Sequence, residues 1–213
     1  LELERQIDGN PYKFGLAGAT DAHNALPSSR EENFFGKAHI VEPDPKRVKY
    51  VMVEAPDPKL NMMNTDTAAS GLTAVWAREN TRESIFDAMV RKEVYATTGN
   101  RLIVRVFAGW DFDPDEIHRP DFAREGYARG VPMGGDLIAA PSGETPGFMI
   151  RALRDPDGAN LDRMQIVKGW LDANGETHEK IWDVACGGRE VVNGACDGEV
   201  GNTVDVADAP STN

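Results

Sequence analysis

Around Gly99 the hydrophobic period of this chain changes, and that switch limits the fold more than any other feature. Before it, Ile85, Phe86, Met89 and Val90 recur at helical spacing. Asn80 and Glu83 form a capping pair ahead of them, and Arg91 and Lys92 follow at the negative end of the helix dipole. After it, Leu102, Val104 and Val106 alternate with Ile103, Arg105 and Phe107, which is the period of a strand. Further extended segments are expected at Phe148–Leu153, Met164–Leu171 and His178–Ala185, separated by the turn sequences Asp155-Pro-Asp-Gly158 and Asp172-Ala-Asn-Gly175. The chain therefore divides into an α/β part over residues 1–100 and an antiparallel β part over residues 101–213.

Within the first part, Phe14–Ala19 is small, apolar and not alternating, as expected of a short strand buried on both faces. Residues 25–70 are rich in Pro, Asn, Asp and Ser and read as a long excursion, with only Val48–Val53 extended. After Arg189 the chain carries acids and no Lys or Arg, and is expected to fray or to form a strand without partners. Trp76, Trp110, Trp170 and Trp182 each lie in or beside an apolar element and are expected in core or interdomain packing.

Charge narrows the choice of partner. A net charge of −12 argues against a nucleic-acid scaffold, which needs clustered Lys and Arg. The longest apolar runs fall far short of the roughly 20 residues that span a bilayer. Leu1-Glu-Leu-Glu-Arg5 lacks the basic start and apolar run of a signal peptide. Cys186 and Cys196 stand in a Gly-rich stretch with spacing unsuited to a zinc knuckle. A disulfide is the favoured reading, two free thiols the alternative, and a bridge would imply a periplasmic or secreted protein.

The sharpest chemical feature is Asp21-Ala-His23, directly after the Phe14–Ala19 segment. Residues two apart in extended backbone point the same way, so a carboxylate and an imidazole can converge on one divalent ion, with zinc, manganese or iron suited to such a mixture. The competing reading makes Asp21 a turn cap and His23 a hydrogen-bonded structural residue. Glu32, Lys37 and His39 lie in the neighbouring excursion, as outer-shell carboxylate or substrate contacts on one reading and as a solvated loop on the other. His118 and His178 read as structural or incidental. No catalytic serine motif, phosphate-binding loop or dinucleotide fingerprint is present.

Several longer stretches carry a family resemblance. They are Asn10-Pro-Tyr-Lys-Phe-Gly-Leu-Ala-Gly-Ala-Thr-Asp-Ala-His23, Glu32-Asn-Phe-Phe-Gly-Lys37, Ala77-Arg-Glu-Asn-Thr-Arg-Glu83 and Glu93-Val-Tyr-Ala-Thr-Thr-Gly99. Gly130-Val-Pro-Met-Gly-Gly-Asp136 and the stretch Asp155–Trp170 complete the set. Together they resemble the bacterial DUF3604 family, a family of unknown function related to PHP-type metallohydrolases.

The resemblance implies the C-terminal portion of a distorted PHP-like (β/α) barrel, followed by an antiparallel β-sandwich-like domain. It implies direct metal ligation by Asp21 and His23, with hydrolysis of phosphoester or other ester-like bonds of a small molecule by a metal-activated water. It also implies barrel strands with further ligands ahead of Leu1 and a segment beyond Asn213, so that the activity belongs to a longer parent and the exposed barrel edges favour self-association. The alternative is a non-catalytic module whose β part binds a ligand or partner. An oligomerisation scaffold is a third reading.

Overall fold

A computed structural model describes residues 2–25, 36–39, 44–46, 49–67, 71–138, 141, 143–199 and 201. In chain order its elements are α1 (Glu2–Ile7), β1 (Val51–Val53), β2 (Met62–Met63), β3 (Leu72–Val75), α2 (Arg82–Val90), β4 (Val94–Thr97) and β5 (Ile103–Gly109). There follow α3 (Phe122–Arg129), β6 (Gly130–Pro132), β7 (Gly147–Leu153), β8 (Arg163–Leu171), β9 (Thr177–Cys186), β10 (Val191–Val192) and β11 (Ala195–Cys196). The chain forms two compact units, one of Gly15–Leu153 and one of Leu1–Phe14 with Arg154–Asn213.

The expected barrel portion and sandwich-like domain are overturned. The named strands form small sheets, every pairing between them is antiparallel, and the described residues contain no closed barrel. A (β/α) barrel needs parallel strands joined by crossover helices. Here the only parallel pairing among the described residues is the single bridge of His23 to Ala38. The segment Phe14–Ala19, expected as a buried barrel strand, joins no ladder, and Leu16 is 70% exposed. Its small residues serve a close approach instead, with the Thr73 hydroxyl donating to the Gly18 carbonyl at 2.6 Å.

In the Gly15–Leu153 unit, α2 links β3 to β4, whose ladder runs from Leu72 opposite Thr97 to Val75 opposite Val94. The helix starts one residue later than its sequence signal. Thr81 is the cap, its hydroxyl accepting from the Ser84 amide at 3.3 Å. Its apolar stripe is largely unburied, for Ala88 is fully covered while Phe86, Met89 and Val90 are exposed. The second sheet has the order β6-β5-β7, with β5 central. Arg105, Phe107 and Gly109 point to its buried side, where Phe107, Phe122 and Met149 form the core, packed by Phe112, Ile117 and Ala123. Phe122 and Tyr127 of α3 meet the Phe107 ring edge to face at 6.0 and 5.1 Å. That approach needs Gly126, because a β-carbon there would overlap the Phe107 ring.

An ionic network centres on the buried Glu93 and Arg105. Glu93, which precedes β4, accepts from the Tyr127 hydroxyl and from Arg91 Nε at 3.0 Å, while Arg105 donates to the Tyr127 hydroxyl. The Arg105 guanidinium lies 4.0 Å from the centre of the Trp76 ring, whose indole N–H donates to the Val104 carbonyl at 3.0 Å. Burial, then the bond to Glu93, pushes the Tyr127 phenol above its ordinary pKa.

The second unit is built on the β8–β9 ribbon, paired from Arg163 opposite Cys186 to Leu171 opposite Thr177, with one irregularity between Met164 and Gln165. Asp172–Gly175 makes the turn, the Gly175 amide donating to the Asp172 carbonyl at 3.0 Å. The Arg5 guanidinium of α1 lies against Gly175. Beyond Arg189 the described residues form a paired hairpin instead of fraying. β10 and β11 pair across Asn193 and Gly194, both at positive φ (54° and 78°), the geometry of a tight two-residue hairpin. The Asp183 amide donates to the Gly194 carbonyl at 2.8 Å, and a disulfide joins Cys186 to Cys196.

Two stability changes follow. Gly126→Ala is expected to lower the stability of the Gly15–Leu153 unit by about 1–3 kcal/mol through overpacking against Phe107, measured by urea unfolding. Reduction of the disulfide, which closes a ten-residue separation, is expected to cost the other unit about 3 kcal/mol from regained chain entropy. Equal unfolding midpoints for oxidised and reduced protein would show that the bridge does not stabilise the hairpin.

Candidate functional site

Four of the residues singled out by sequence come together in the Gly15–Leu153 unit. The segments 21–24 and 36–39 run side by side, with the His23 amide donating to the Lys37 carbonyl at 2.6 Å and the Asn24 side chain donating to the Gly36 carbonyl. Asp21 takes a left-handed conformation, φ 52°, which a non-glycine residue adopts at some energetic cost. The result is convergence: His23 Nε2 stands 3.0 Å from Asp21 Oδ1, and Lys37 Nζ donates to Asp21 Oδ2 at 2.6 Å. His39 Nδ1 lies 3.3 Å from the His23 carbonyl. Asp21 and His23 are largely exposed, at 71% and 64%, while Lys37 is only 17% exposed, so its ammonium rises from a mostly covered stem. The Lys37 ammonium first, and the His23 ring second, hold the Asp21 carboxyl below the usual carboxylate range. Glu32 lies outside the described residues.

One carboxylate oxygen and one imidazole nitrogen on the same side suit a borderline divalent ion as two of its ligands. Catalytic zinc takes three protein ligands, and the described residues bring no third donor to this pair. The lysine on the second carboxylate oxygen competes with any cation there. The one group of three close donors among the described residues is Asp183, Cys186 and Cys196. Its cysteines are spent in the disulfide and offer no thiolate. Asp183 is already engaged: it accepts from the Cys196 amide and the Gln165 side chain, both at 2.7 Å, and lies 3.4 Å from Arg163.

A separate cleft of about 340 Å³ lies along the sheet of β5, β6 and β7. Val106, Trp110, Pro132, Met133, Leu137 and Phe148 line it, and no ionisable side chain among the described residues does, so these offer shape and apolar surface but no acid–base chemistry. The tryptophans sit in different settings. Trp76 stacks on the buried Arg105, but Trp170 and Trp182 lie half-buried on the ribbon with a lysine over each ring. The tight hairpin was readable as Asn193-Gly194, a dipeptide suited to positive φ, and is the feature that the acidic composition of the tail obscures.

The model of the DUF3604 family, described as a protein of unknown function, matches residues 1–213, and the chain belongs to that family. No curated protein and no solved structure matches it. The disulfide is consistent with an extracellular location. No helix among the described residues is long and apolar enough to cross a membrane.

The bonds to Asp183 have a pH signature. The Cys196 amide first, then the Gln165 side chain, hold its carboxyl below the ordinary value. A lowered folded pKa contributes stability that is complete above the unfolded value of about 4 and is lost as pH falls through the folded one. Unfolding midpoints followed by tryptophan fluorescence are therefore expected to stay level from neutrality to about pH 4 and to decline below it. Asp183→Asn should flatten that decline, and an unchanged acid limb would dissociate Asp183 from it.

Proposed function

We propose that Asp21 and His23 are two ligands of a divalent ion, zinc, manganese or iron, in a PHP-like metal-dependent hydrolase acting on phosphoester or other ester-like bonds of a small molecule. One observation carries this reading: Asp21 Oδ1 and His23 Nε2 converge at 3.0 Å on an exposed surface. When bound, the ion would supply Lewis acidity and a water acidic enough to be hydroxide near neutral pH.

The chain's own groups have distinct tasks in this reading. Asp21 and His23 present one oxygen and one nitrogen in a fixed relation, set by the left-handed backbone at Asp21 and the bridge from His23 to Ala38. Lys37 fixes the second Asp21 oxygen and is the cation beside which an anionic substrate group would lie. His39 braces the His23 carbonyl and so the segment that carries the imidazole. A phosphoester is favoured over a neutral ester because a lysine stands at the pair, in keeping with the relation to phosphoester-cleaving PHP enzymes that the sequence resemblance implies. The disulfide supports a periplasmic or secreted setting. Self-association has the exposed Phe86, Met89 and Val90 of α2 to draw on.

Zinc or manganese titrated calorimetrically into the metal-free chain is expected to bind once, with affinity at least tenfold weaker in Asp21→Ala and in His23→Ala. Lys37→Met should bind more tightly, since it removes the competing ammonium. Metal-dependent turnover of a chromogenic phosphoester by the full-length protein should fall at least a hundredfold in the two ligand variants. Metal binding and turnover indifferent to both substitutions would refute the assignment.

A further inference from the structure

The β8–β9 ribbon repeats one triplet on its two strands, Lys168-Gly-Trp170 and Lys180-Ile-Trp182. Its register places Trp170 opposite His178, Lys168 opposite Lys180 and Ile166 opposite Trp182. These three rows are two residues apart, so they share one face. At a rise of about 3.4 Å per residue, the two tryptophan rows lie roughly 14 Å apart with the lysine pair midway. Each ammonium leans over the tryptophan of its own strand, Lys168 Nζ at 4.8 Å and Lys180 Nζ at 4.9 Å from the ring centre. The two charges therefore splay toward opposite ends of the face.

This arrangement is costly for the ribbon alone. Like charges directly opposite one another in an antiparallel pair are destabilising, and neither lysine forms an ion pair among the described residues. Nearby acids are directed elsewhere. Asp172 bonds His178 at 3.1 Å, Asp183 bonds Gln165 and the Cys196 amide, and Glu179 alternates onto the opposite face. The aromatic components are held in place: Trp170 stacks on His178 at 5.3 Å and 21°, and Trp182 is backed by Gly194 of the hairpin. In a chain of net charge −12, the face is a local cationic strip bounded by two flat rings.

We propose that this face binds an acidic polysaccharide, a glycan bearing carboxylate or sulfate groups. Indole rings stack on the C–H faces of sugar rings once each flexible lysine swings from its ring to a sulfate or carboxylate, for which an ammonium is a point-charge partner. A single-stranded nucleic acid also uses aromatic platforms, but it needs cations tracking successive phosphates. Two lysines on an acidic protein do not provide that track. The Cys186–Cys196 bridge in the same unit is consistent with an extracellular setting, where acidic glycans are encountered. The proposal is independent of the metal pair, since all its residues belong to the ribbon.

The test uses the whole oxidised chain, with chondroitin sulfate and polygalacturonate fragments as probes, and a neutral glucan fragment and a single-stranded oligonucleotide as controls. Calorimetry is expected to show binding of at least one acidic glycan that weakens with salt and falls at least tenfold in Lys168→Gln/Lys180→Gln. Trp170→Leu should weaken it similarly, while Asp21→Ala leaves it unchanged. Circular dichroism and an intact disulfide verify that each variant is folded. The proposal is overturned if neither acidic glycan binds, if the ribbon variants bind as well as the parent, or if the oligonucleotide or neutral glucan binds as tightly.

Discussion

A buried guanidinium organises the Gly15–Leu153 unit. Taking Arg105 out of water costs on the order of several kcal/mol, and its surroundings offset that cost from three elements at once. Glu93 lies 3.9 Å away at the start of β4, the Tyr127 hydroxyl comes from α3, and the Trp76 ring comes from the end of β3. Each sheet is too small to bury its residues alone, so the shared cation ties the β3–β4 pair to the sheet centred on β5. Among the described residues Arg105 Nη1 has no acceptor, and the Trp76 ring covers the guanidinium. Loss of Glu93 would leave the cation buried without its counter-charge, a heavier penalty than loss of a surface pair.

The other unit meets the same difficulty with different means. A two-stranded ribbon is marginal by itself, and here a covalent bridge and one carboxylate support it. Asp183 collects the Cys196 amide and the Gln165 amide, so the hairpin of β10 and β11 is held against β9 at the position where Trp182 projects. The rigidity of that ring thus derives from groups on both sides of the disulfide. Across the two units, fold and site are linked by short local devices more than by one large core.

Where periodicity was long and flanked by turn residues, the sequence was a sufficient guide. The helix at Arg82–Val90 and the strands at Ile103–Gly109, Gly147–Leu153, Arg163–Leu171 and Thr177–Cys186 all follow patterns visible in the residues. Burial was less legible. Phe14–Ala19 has the composition of an inner strand, but composition does not supply a neighbour to bond with, and the segment lies unladdered. The stripe on α2 predicts a helix correctly, yet Phe86 and Val90 remain exposed because nothing in the spacing says what covers a face. Asp21 and His23 converge as their spacing suggested, through a left-handed turn and not the flat strand end that was expected. The contribution of Lys37 required the long-range pairing of 21–24 with 36–39. The lysine pair is likewise hidden in sequence, because opposition depends on the ribbon's register.

The discontinuity of one unit has a consequence for biosynthesis. Leu1–Phe14 belongs with Arg154–Asn213, and about 140 residues separate the two parts. At roughly 5–20 residues per second, α1 emerges some 10–30 s before the ribbon against which Arg5 rests has been made. By the end of that interval the intervening unit has its full complement of strands, whereas Arg5 still awaits the turn at Gly175. The order of translation therefore runs from the inserted unit to the split one, and the earliest residues of this stretch are among the last to find their native place.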